Sequence, residues 1–461
     1  MSPARPDERD FRARVALNGN AAPAAGTVRV DATGTDCGAA LAAPLRVDHD
    51  EVAAIERADL TVTMRLFDGT TVAFDQGGSL DDLWQVLRTS FRARVSKSLR
   101  FAPADQRHTF DARVAIDGTE DIAARSAQVS IVRLGMNFLA DSGPCAQLPF
   151  GAFGEAVFDP GTYDVALTVA PGPAAPAGAK LTISKLAGRT EEFLGLLRQA
   201  RNVSLADSAR CLSALAPELG AGQRMALAAE LAVGRMISLE SCEALAPGAW
   251  RILWDASAGA DRAAYGDALA GLATSPGSLL LGMRPYGGMP RAGVGPVPAG
   301  AEVTDQGTAA PRGPAVAESH SAANASFEEG REPAPDSSLP VLYAAALLRG
   351  PAADQDTMAL EVLSERDHAT YVYRVAPVPA GLDRGAAGAW LASVASHTLL
   401  SLDFKKEPLY LPEPELLRAR EGLYRAALRR LPGLRELRSR LLGRALHTTP
   451  AAWQEQLARL R

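Results

Sequence analysis

A nine-residue phrase occurs twice in this 461-residue chain, 99 positions apart. Phe11-Arg-Ala-Arg-Val-Ala-Leu-Asn-Gly19 returns as Phe110-Asp-Ala-Arg-Val-Ala-Ile-Asp-Gly118. A second phrase also returns: Gly78-Ser-Leu-Asp-Asp-Leu-Trp-Gln-Val-Leu-Arg88 becomes Gly188-Arg-Thr-Glu-Glu-Phe-Leu-Gly-Leu-Leu-Arg198, now 110 positions on. The extra length falls in the Pro/Gly/Ala stretch 171–178, which replaces the tight Asp68-Gly69. Insertions collect in loops, so paired phrases that keep their order around a variable loop are the mark of a repeated structural unit. The units run over 11–101 and 110–200.

Each unit reads as a set of strands closed by one helix. Leu60, Val62, Met64 and Leu66 alternate with Thr61, Thr63 and Arg65, and Asp68-Gly69 joins this run to the next. Alternation on both sides of Asp-Gly is a hairpin signal. After Gly77-Gly78 the apolar period lengthens to that of a helix, with Trp84, Leu87, Phe91 and Val95 in one stripe. Ser79 is placed to cap it, and Asp81 and Asp82 stand in its first turn, where the helix dipole favours carboxylates. The strands of unit 1 are expected near 11–17, 26–31, 37–42, 44–48, 51–57, 60–67 and 70–75. Those of unit 2 are expected near 110–116, 127–133, 135–140, 145–149, 154–158, 163–169 and 179–184, with a helix near 189–201.

Several short antiparallel strands followed by one helix resemble the pleckstrin-homology superfold, a bent, partly open barrel plugged by its C-terminal helix. Familiar members carry a tryptophan on that helix. Trp84 stands where it would, and unit 2 has Leu194 there. Phosphoinositide-binding members place lysines and arginines around the loop joining their first two strands. Here that loop is Asn18-Gly-Asn-Ala-Ala-Pro-Ala-Ala-Gly26, without a base, and Asp117-Gly-Thr-Glu-Asp-Ile-Ala-Ala, which is acidic. The resemblance therefore implies a module that holds peptides or neighbouring domains.

Beyond the repeat, 204–274 reads as short helices split by Gly and Pro, with Trp250 and Trp254 one turn apart. From 275 to 339 almost no apolar periodicity is visible, which predicts a disordered linker. The segment 340–461 reads as an α+β domain. Strands are expected at 341–350, 357–366 and 368–377, and helices near 384–401, 413–431 and 433–446. Thr449-Pro450 is expected to open a last helix carrying Trp453. The expected class is thus α+β multidomain: two tandem pleckstrin-like β-barrels with C-terminal helices, a helical segment, the linker and a C-terminal α+β domain.

Chemistry is sparse. Phosphate-loop, nucleophile-elbow, zinc-helix and kinase motifs are all absent from the sequence. The cysteines Cys37, Cys145, Cys211 and Cys242 are scattered, reading as packed thiols in a reducing cytosol. No two histidines share metal-ligand spacing, so no metal, cofactor or catalytic residue is assigned. Asp81-Asp82 and Glu191-Glu192 are explained by the helix dipole.

Two basic runs remain. Arg88, Arg92, Arg94, Lys97 and Arg100 crowd the end of the first repeated helix. The segment 416–444 carries nine arginines, Arg425, Arg429 and Arg430 among them, against two glutamates, in a chain of net charge −5. These eight residues are the candidate partner-binding set, with an internal acidic surface as the competing destination. The N-terminal MSPARPDERDF lacks the apolar core of a secretory signal, and no run is long enough to span a membrane. The expected function is a cytoplasmic, non-catalytic scaffold that contacts an unidentified protein. One alternative is peripheral association with an anionic membrane through the basic helices, a nucleic acid being the less expected anion. Another is an enzyme in the last domain using His397 or His447.

Overall fold

The computed structural model describes residues 9–19, 24–37, 45–75, 80–99, 108–116, 125–169, 179–258, 260–273, 276–284, 341–350, 356–362, 369–375 and 427–460. The first sheet has seven antiparallel strands: β1 (Arg9–Leu17), β2 (Ala24–Val30), β3 (Gly34–Asp36), β4 (Arg46–Asp48), β5 (Val52–Ala58), β6 (Thr61–Leu66) and β7 (Thr71–Asp75). Their order is β4-β3-β2-β1-β7-β6-β5. The helix α1 (Leu80–Ser98) follows. Alternation works as expected: Val28, Val30, Val62, Met64, Val72 and Phe74 are fully buried while their neighbours face outward. At the expected hairpin Gly69 takes φ +88°, a left-handed conformation that glycine adopts at little cost, and Asp68 accepts the Thr70 amide.

Unit 2 repeats this topology. Its strands are β8 (Thr109–Ile116), β9 (Arg125–Val132), β10 (Gly135–Ala140), β11 (Ala146–Pro149), β12 (Phe153–Asp159), β13 (Asp164–Val169) and β14 (Lys180–Ser184). They are ordered β11-β10-β9-β8-β14-β13-β12, the same sequence of neighbours as in unit 1. The helix α2 (Thr190–Leu215) follows and runs well past the expected end near residue 201. Both sheets are open, with β4 and β5, or β11 and β12, as edges, so the expected bent, partly open barrels are corrected to open sheets. The tryptophan is corrected too. Leu83 and Phe193, one position earlier on each helix, are the buried residues, while Trp84 and Leu194 are both half-buried. Arg88 lies over the Trp84 ring at 5.6 Å.

A third sheet joins segments expected to belong to separate domains. It runs β15 (Met236–Ser238), β16 (Leu279–Arg284), β17 (Val341–Leu348), β18 (Thr357–Val362), β19 (Ala369–Arg374) and β20 (Leu441–Leu446), each beside the next. The linker expected from residue 275 therefore begins with a strand. Leu279 to Met283 is a short apolar run buried on both faces, too short to show helical periodicity and too uniform to alternate. Residues 285–340 lie outside the described residues. The expected helix 433–446 divides into α7 (Pro432–Arg440) and β20. The helices expected at 384–401 and over most of 413–431 lie outside the described residues.

The helices α3 (Ala221–Glu230), α4 (Leu239–Leu245), α5 (Ala249–Ala258), α6 (Ala260–Leu272) and α8 (Pro450–Leu460) complete the fold. The α8 cap is as expected, Thr449 accepting the Ala452 amide. One face of the third sheet, with Leu281, Ala344, Ala346 and Val372, packs in the core of these helices. The other face, with Tyr343, Tyr371 and Tyr373, continues into the core of unit 1. Gly234 seats the helical segment on unit 2. Its φ is +83°, and an added Cβ would lie 2.2 Å from Pro149 Cγ. Gly234→Ala should therefore cost about 1–3 kcal/mol, read as a lowered denaturation midpoint.

Candidate functional site

The first basic run is turned inward. Arg92 is buried and forms a fork on Asp141, Nε to Oδ1 at 2.7 Å and Nη2 to Oδ2 at 3.0 Å. Its Nη1 also donates to Asp111 at 2.6 Å. Arg88 Nε donates to the same Asp141 Oδ2 at 2.9 Å and lies 3.3 Å from Asp111. Asp111 and Asp141 belong to unit 2, so α1 of one repeat is ion-paired to the sheet of the next. Arg94 pairs with Asp50 inside unit 1. Lys97 is exposed, and Arg100 lies outside the described residues.

In the second run Arg429 and Arg430 also turn inward, whereas Arg435 and Arg444 are exposed. Arg429 donates to Glu51 at 2.6 Å and covers the Phe67 ring. Arg430 is fully buried, donates to the Val52 carbonyl, and sits 5.2 Å from Phe67 and 5.1 Å from Phe91. Burial lowers its pKa and the neighbouring Cys145 opposes that shift; a guanidinium has so high a starting value that it stays charged. The Arg430 carbonyl accepts the Cys145 amide at 2.8 Å, so one residue ties the C-terminal segment to both repeats. Burial in turn pushes the Cys145 thiol up, against the pull of Arg430, leaving an inert thiol. Arg425 lies outside the described residues.

The same junction closes one sheet edge. On β5, the Ile55 amide donates to the Asp141 carbonyl at 2.8 Å, and Ala54 bridges to Ser142.

The histidine of the enzyme alternative does meet a carboxylate. His447 Nε2 lies 3.2 Å from Glu361 and 3.0 Å from the Thr370 hydroxyl. That hydroxyl donates to Glu361 at 2.6 Å and accepts from the Trp453 indole at 2.8 Å. The Tyr265 ring stacks on His447 at 4.4 Å. Nε2 is placed within hydrogen-bond reach of both the Glu361 carboxyl and the Thr370 hydroxyl. The Thr370 hydroxyl thus joins Glu361, His447 and Trp453, all of them buried side chains, and the group lies inside the core. The network fastens β18, β19, the end of β20, α6 and α8. Sequence spacing could not find it, since Glu361, Thr370, His447 and Trp453 come from separate elements. His397 lies outside the described residues.

His49 is a second buried histidine, 3.0 Å from the Thr35 hydroxyl. Burial disfavours its charged form and lowers its pKa from 6.5 to about 4, against the pull of Asp31 and Asp48. The unfolded chain therefore binds this proton first as pH falls. Stability is full above about 6.5 and is lost down to about 4. His49→Gln should flatten that part of a curve of urea midpoint against pH.

Among the described residues no group of three or more His, Cys, Asp and Glu side chains could hold a metal, and no helix is long and apolar enough to cross a membrane. A shallow cleft lined by Asn18, Asp68, Gly69, Thr70 and Thr71 holds one carboxylate and no histidine or cysteine. No known protein family and no curated protein matches the chain. It is similar in structure to the C-terminal domain of an unknown protein from Leishmania infantum at 13% identity and TM-score 0.17, covering 18% of this chain and 81% of that one.

Proposed function

We propose that the chain is a non-catalytic scaffold whose two pleckstrin-like units are held at a fixed setting to present a protein-binding surface. The supporting observation is the buried arginine junction: Arg88 and Arg92 on Asp111 and Asp141, with Arg430 between both repeats. Charge that could have served an outside anion is spent on fixing one unit against another. The membrane reading loses Arg88, Arg92, Arg94 and Arg429 to ion pairs and Arg430 to burial. A catalytic reading would need an accessible acid–base pair, whereas the side chains of His447 and Glu361 are almost fully buried.

Cross-linking of the full chain in lysate of its source, followed by mass spectrometry, tests the reading. Specific protein adducts should appear, and vesicles of phosphatidylserine and phosphatidylcholine should not pull the chain down at moderate salt. Vesicle binding without protein adducts would contradict it.

A further inference from the structure

We propose that the β12 edge of unit 2 receives an extended peptide strand with basic residues on both sides of an apolar one; this deepens the scaffold reading and rests on it. The repeat supplies the first argument. β5 and β12 are equivalent edges. Each pairs with the next strand through a buried partner, Ile55 with Met64 and Ala156 with Leu167, after an irregularity near the strand's start. The first carbonyl of each accepts an arginine, Val52 from Arg430 and Phe153 from Arg201 at 2.6 Å. Beyond that shared cap the two differ. On β5 the Ile55 amide is taken by the Asp141 carbonyl, so this edge already carries an added segment. On β12, no hydrogen bond from outside the sheet reaches Ala156, Val157 or Phe158 among the described residues.

The second argument is the chemistry along that edge. Val157 is 64% exposed and Tyr163, at the hairpin tip, is 67% exposed. Tyr163 packs edge-on against Phe158, with centroids 6.0 Å apart, making an apolar shelf beside the strand. Glu155 and Asp159 are exposed two residues to either side of Val157, Asp159 also accepting the Gly161 amide at 2.8 Å through Oδ1. Arg201, the cation near Glu155, is committed to the Phe153 carbonyl and lies over its ring at 4.9 Å. An incoming antiparallel strand would place side chains opposite 155, 157 and 159, so it fits as basic, apolar, basic at alternate positions. A second copy of the chain fits poorly. Antiparallel self-pairing centred on Val157 sets each Glu155 against the other copy's Asp159, and like charges directly opposite repel.

The test is selection of a random heptapeptide library on the full chain, followed by synthesis of the enriched peptides. Enriched sequences should alternate basic and apolar residues. The double variant Glu155→Lys, Asp159→Lys should weaken their binding about tenfold or more at low salt. N-methylation of alternate peptide amides should abolish binding while leaving the protein untouched. In hydrogen exchange, the Ala156 amide should be fast in the free chain and slow with peptide bound. Enrichment without that alternation, binding that survives N-methylation, an Ala156 amide already protected in the free chain, or a dimer broken by Ala156→Pro would each overturn the proposal. If this edge fails while protein cross-links map elsewhere, the scaffold reading stands alone; if no protein partner is found at all, both fall.

Discussion

Arg92→Ala should destabilise the chain by about 3–5 kcal/mol, because it strands a buried carboxylate rather than merely deleting a contact. Asp141 is 4% exposed and takes three of its hydrogen bonds from Arg88 and Arg92. Without Arg92, both oxygens of a desolvated anion depend on Arg88, which reaches only Oδ2 directly. Adding Asp141→Asn to Arg92→Ala should recover part of the loss, since a neutral amide costs less to leave underpaired. Chemical denaturation of the two single variants and the double variant measures this coupling. A loss for Arg92→Ala below about 1 kcal/mol would place the pair among ordinary surface salt bridges.

Trp453→Ala should be comparably severe, at about 3–5 kcal/mol, the usual cost of truncating a fully buried aromatic. Trp453 has no exposed surface, and its indole donates to Thr370, whose hydroxyl also bonds Glu361 and His447. Removing it opens a cavity and leaves the Thr370–Glu361–His447 group short of a donor. Trp453→Phe refills most of the volume without the N–H and should keep roughly half of the lost stability. Equal losses for the two variants would show that the hydrogen bond, not the packing, dominates. Urea midpoints separate them.

The repeat carried most of what could be read in advance. The sequence spacing placed seven strands in each unit, and the structure has seven in each; alternation through Val62, Met64, Val72 and Phe74 and the turn at Asp68-Gly69 are local signals, whereas β3 lies at Gly34–Asp36, ahead of the strand expected at 37–42, which falls almost wholly outside the described residues. Sheet closure is not local; whether β4 meets β5 depends on contacts between distant segments, and the sheets stay open. Trp84 misled for a related reason. Its spacing fits the stripe, but the stripe that turns inward is Leu83, Leu87, Phe91 and Val95, one position away at its start. β16 was hidden because a buried strand of five apolar residues has no period of its own.

The destination of the arginines was open in the sequence, where an internal acidic surface and an outside anion competed. One clue was present. The repeated phrase keeps Phe, Ala, Arg and Val but exchanges Arg12 for Asp111, and Asp111 is the residue on β8 that Arg88 and Arg92 reach. A charge reversal inside an otherwise similar repeat marks the place where the two copies have different neighbours.

Differential scanning calorimetry of the full chain tests the central claim of a locked platform most directly. The junction predicts that both repeats unfold in one transition, whose calorimetric and van't Hoff enthalpies agree. It also predicts that Arg92→Ala combined with Arg430→Ala splits that transition in two. Separate transitions for the two repeats in the unaltered chain would contradict the account.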